Sequence, residues 1–72
     1  MGKAETPLEM ARRHVREGEE RVARLARTIE EMSARGLRVE HAERLLLNYR
    51  DLLKLSREHL KREEAMEAKR GS

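Results

Sequence analysis

Leu8, Ala11, Val15, Gly18, Val22, Leu25, Ile29 and Met32 follow one another in steps of three and four, which places them on one side of an α-helix. After Gly36 the stepping restarts at Val39, Ala42, Leu46, Tyr49, Leu53, Ser56 and Leu60. Strands alternate every second residue, so neither run fits a sheet. Only a few residues separate the runs, and so short a connection makes successive helices antiparallel neighbours. The fold class is therefore all-α, an antiparallel two-helix hairpin with coiled-coil-like packing.

The ends of the helices are marked unequally. Thr6-Pro7-Leu8-Glu9 is a capping box with proline in the first helical position, where its missing N–H costs nothing. Gly36 can adopt the left-handed conformation that closes a helix, and Leu37 is then placed to cover Met32. The second start is weak. No Ser, Thr, Asp or Asn lies between Gly36 and Ala42, which leaves Val39 at the cap, unable to accept a hydrogen bond. Lys69 and Arg70 suit the negative end of the second helix. The expected organisation is a disordered stretch over 1–6, helix one over about 7–35, a turn at 36–38, helix two over about 39–68 and a frayed tail at 69–72.

With 72 residues the chain is one domain at most, close to the size at which a single core needs reinforcement. Cysteine is absent, which removes disulfides, thiolate metal sites and thiol redox chemistry. No apolar run approaches the roughly 18 residues of a membrane span, and the charged start is unlike a signal peptide. A cytoplasmic protein with no membrane partner is expected. Nothing points to a cofactor, a small-molecule substrate or an enzyme: Gly2, Gly18, Gly36 and Gly71 are isolated, and a hairpin offers no water-excluding cleft. Ser56, in the seam, is expected to bond back to a helix carbonyl.

The two apolar stripes differ in width. Taking Leu8 as a heptad a position, the g positions of helix one are His14, Arg21 and Thr28, all polar. Taking Val39 as a, those of helix two are Leu45, Leu52, His59 and Met66, with Leu55 beside them. The second apolar arc spans about 160°, against the ~100° that suffices for one neighbour. A second copy of the chain, packed through Leu45, Leu52, Leu55, His59 and Met66, would cover the surplus and make a homodimeric four-helix bundle. A different protein could dock on the same flank of helix two. Leu47, on the opposite side, is a lone exposed apolar residue. Gly18 falls opposite Leu53 if the hairpin pairs positions summing to about 72, which suits small-against-large packing.

Two further constellations stand out. Arg13, Arg16, Arg24 and Arg27 lie on the outward side of helix one and could track phosphates, as in Rop-type RNA-binding hairpins. Glu20 interrupts that stripe, no stacking aromatics accompany it, and partners four residues away (Arg13–Glu17, Arg16–Glu20, Glu20–Arg24, Arg27–Glu31, Glu40–Arg44, Glu58–Arg62) read as a solvated face. Nucleic acid is therefore the alternative partner. His14 and His59 share a register height, and with Glu63 and Glu17 could offer an open nitrogen and carboxylate site. With no third histidine nearby, a bound metal is not expected.

The run His14-Val15-Arg16-Glu17-Gly18-Glu19-Glu20-Arg21-Val22-Ala23-Arg24, taken with Gly36, Ala42, Leu45, Leu46 and His59, resembles a group of short uncharacterised alphaproteobacterial proteins. The resemblance covers about residues 11–62 and implies a natural bacterial hairpin that stands alone. A threonine often opens the second helix in that group where this chain has Val39. The group has no assigned activity, so the resemblance implies none here.

Overall fold

The computed structural model of the chain describes residues 4–71. Helix α1 covers Pro7–Ala34 and helix α2 covers Glu40–Gly71. They pack against each other as an antiparallel pair measuring 56 × 29 × 13 Å. The smallest dimension is close to the ~10–12 Å diameter of one helix with its side chains, so both broad faces of the pair meet solvent.

α1 begins as the capping box predicts. The Thr6 hydroxyl accepts from the Glu9 N–H at 3.1 Å, and the Glu9 carboxylate accepts from the Thr6 N–H at 3.1 Å. Within the expected disordered stretch, Glu5 is held by Arg13 at 2.9 Å; positions 1–3 of that stretch lie outside the described residues. α1 stops at a Schellman motif. Arg35 is the cap, Gly36 has φ 73°, the Gly36 N–H donates to the Ser33 carbonyl at 3.0 Å, and the Leu37 N–H donates to the Met32 carbonyl at 2.9 Å.

Val39 stands directly before α2, and its carbonyl accepts the Glu43 N–H at 2.8 Å, the first bond of the helix. Its side chain brings no acceptor to the exposed amides. At the far end α2 continues through Lys69 and Arg70 to Gly71, where fraying had been expected. Cations favour the negative end of the helix dipole, and Arg70 also pairs with Glu67 at 3.3 Å. Ser72 lies outside the described residues.

The seam between the helices is thin. Only Ala11 and Leu53 are buried among the described residues, at 1% and 6% exposure, and every other apolar seam position from Leu8 to Leu60 is half-buried. Gly18 does face Leu53: a Cβ on it would lie 3.0 Å from the Leu53 Cδ1 atom. Two sequence expectations fail. Ser56 makes no back-bond, and the residue that does is Thr28, whose hydroxyl donates to the Arg24 carbonyl at 3.1 Å. Of the expected four-apart charge ladder, Arg13–Glu17 closes at 3.2 Å while the other Arg–Glu rungs stay open. Exposed long side chains gain too little from such pairs to offset their lost freedom.

The accessible surface is 6198 Å². A compact monomer of 8.5 kDa would expose about 4,700 Å² by the usual mass scaling. A layer one helix thick cannot hide its side chains better.

Candidate functional site

α1 covers one side of α2 and leaves the adjoining flank bare. Along that flank lie Leu45, Leu52, Leu55 and Met66, at 37%, 53%, 59% and 52% exposure, with exposed His59 among them. Leu45, Leu52, His59 and Met66 are seven residues apart, so they form a single row on the helix. The matching flank of α1 carries His14, Arg21 and Thr28, which are too polar to cover leucines.

A groove of ≈ 360 Å³ runs between the two flanks. His14, Glu17 and Arg21 form its α1 wall, Leu52, Leu55 and His59 its α2 wall, and Gly18 and Leu53 line it between them. The missing side chain at Gly18 leaves room for Leu53, which stays buried at the floor of the groove. At one end the Arg21 guanidinium stands 5.7 Å from the centre of the Tyr49 ring, within cation–π range. Near the other, the His59 Nε2 atom lies 3.9 Å from the Glu63 carboxylate.

The structure thus brings His14 and His59 to one groove and sets Glu63 beside His59. It does not assemble a metal centre: among the described residues, no three His, Cys, Asp or Glu side chains converge on a point that could hold an ion. His41 is exposed near the start of α2, remote from the pair.

The outward arginines of α1 differ in their surroundings. Arg13 is engaged twice, with Glu5 at 2.9 Å and 3.0 Å through two nitrogens and with Glu17 at 3.2 Å. That pairing holds the Glu5 carboxyl below the usual carboxylate range and pushes the Arg13 guanidinium up. Arg16, Arg24 and Arg27 are exposed and, among the described residues, meet no carboxylate within ion-pair distance. Sequence spacing missed three pairs, of which Arg70–Glu67 lies three residues apart within α2. Glu5–Arg13 escapes a rule of four because Glu5 lies before the helix and folds back along it. Arg57–Glu19, at 3.2 Å, joins the two helices, and only the hairpin register could have suggested it.

The architecture defines the class: an all-α helical hairpin with one apolar flank left unpartnered. No helix among the described residues is long and apolar enough to cross a membrane. Compared with known proteins, the chain matches no family model, no curated protein and no solved structure.

Proposed function

We propose that this chain is a self-associating helical hairpin that works through protein contacts. Its working surface is the α2 flank formed by Leu45, Leu52, Leu55 and Met66, with His59 in the same row. Its partner is a second copy, and the product is a four-helix bundle. The observation that carries this reading is the match between bare flank and surplus surface. The accessible area exceeds that of a compact monomer by about 1,500 Å², and a standard interface needs about 800 Å² from each partner. Leu45, Leu52 and Met66 share one row with His59, and Leu55 stands beside it, so these exposed apolar side chains fall on one flank, unlike the scattered exposed residues of an ordinary surface.

A catalytic reading finds little support, since among the described residues no hydroxyl lining the groove is hydrogen-bonded to a base. The nucleic-acid reading is weakened at Arg13, which already pairs with two carboxylates.

The test is mass. Sedimentation equilibrium at micromolar concentration should give twice the 8.5 kDa of the chain. The double variant Leu52→Glu/Leu55→Glu should sediment as a monomer, since charges in a desolvated strip oppose association. A wild-type chain at monomer mass overturns the proposal. A double variant that still dimerises would show that another face holds the copies together.

A further inference from the structure

The bare flank also carries information about direction. We infer that two copies pair α2 against α2 in antiparallel orientation, about a two-fold axis passing beside Leu55. This inference rests on the self-association reading and adds its geometry.

The row Leu45, Leu52, His59 and Met66 has its midpoint between residues 55 and 56. The helix Glu40–Gly71 has its midpoint at the same place. A two-fold axis there overlaps the two α2 helices along their whole length and leaves no member of the row unmatched. Leu45 falls opposite the partner's Met66, and Leu52 falls opposite the partner's His59. Leu55 meets the partner's Leu55 at the axis. The partner's α2 then roofs the groove, whose α2 wall is made of Leu52, Leu55 and His59. A shift of one heptad in either direction would leave an apolar residue of each copy without a counterpart.

Charge selects the direction. Antiparallel pairing opposes the two helix dipoles, which parallel pairing would align. On the rim, exposed Asp51 comes near the partner's Arg62, and among the described residues neither has an ion pair within its own chain.

The chain contains no cysteine, so introduced thiols report only on the interface. A disulfide requires Cα atoms within about 7 Å. Leu45→Cys and Met66→Cys are made separately on chains of distinguishable mass, and both sites are exposed, so helicity should persist. After mild oxidation, the equimolar mixture should form the mixed dimer about tenfold more than either variant forms its own, as opposed sites share a high effective concentration. Leu55→Cys should cross-link with itself. Preferential Leu45→Cys self-cross-linking would establish parallel pairing and overturn this inference while leaving the dimer intact. Sedimentation of the unmodified chain at monomer mass would overturn both readings together.

Discussion

Gly18 is the residue on which the close approach of the helices turns. Glycine inside a helix costs about 1 kcal/mol relative to alanine, yet a Cβ here would press on Leu53, the best-buried large side chain, at 3.0 Å. Gly18→Ala should therefore change stability by less than about 1 kcal/mol, its helix gain being offset by the push on Leu53. Gly18→Leu has no such compromise and should destabilise by about 1–3 kcal/mol through overpacking. Urea unfolding of the two variants checks this, and equal midpoints would show that the helices can part without loss. Acid should act on the other end of α1. Arg13 holds the Glu5 carboxyl low, and hydrogen bonds from the Thr6 backbone and hydroxyl do the same for Glu9. A carboxyl whose folded pKa is depressed contributes stability above its unfolded value and loses that contribution as pH falls through the folded one. The first turn of α1 should thus loosen below about pH 4, seen as faster amide exchange over residues 7–10 once the intrinsic pH dependence is removed. Protection unchanged down to about pH 2 would mean that these carboxylates contribute nothing.

At the scale of the helices, the contrast between two starts gives the next prediction. α1 has a capping box, whereas Val39 offers α2 only its carbonyl. Val39→Thr keeps the branched shape of a half-buried side chain and adds an acceptor, so it should stabilise by about 1 kcal/mol. A lowered denaturation midpoint would show that packing at Val39 outweighs capping. Signals such as the Thr6 box and Gly36 were legible in the sequence because each acts within a few residues. The Gly18–Leu53 contact was legible too, since a short turn fixes the register. What stayed hidden depended on long side chains choosing among several partners. Arg13 selects Glu5 as well as Glu17, and Glu19 reaches Arg57 across the seam instead of a neighbour on its own helix. The open rungs at Arg16, Arg24 and Arg27 have the same cause, for an exposed pair is worth too little to fix a conformation. Ser56 likewise could satisfy its hydroxyl in solvent along the groove edge.

Across the whole molecule the decisive quantity is surface. Two helices make one seam, and among the described residues that seam buries only Ala11 and Leu53. The apolar arc of α2 is wider than α1 can cover, and what remains is the row from Leu45 to Met66. The His14–His59 groove lies beside that row and shares its α2 wall, so covering the flank would also close the groove. Self-association thus accounts for the unequal stripes, the surplus area and the open groove with one contact. Sedimentation equilibrium of the unmodified chain tests this most directly. At micromolar concentration a mass twice 8.5 kDa is expected. A single species of 8.5 kDa, unchanged as concentration rises, would contradict it.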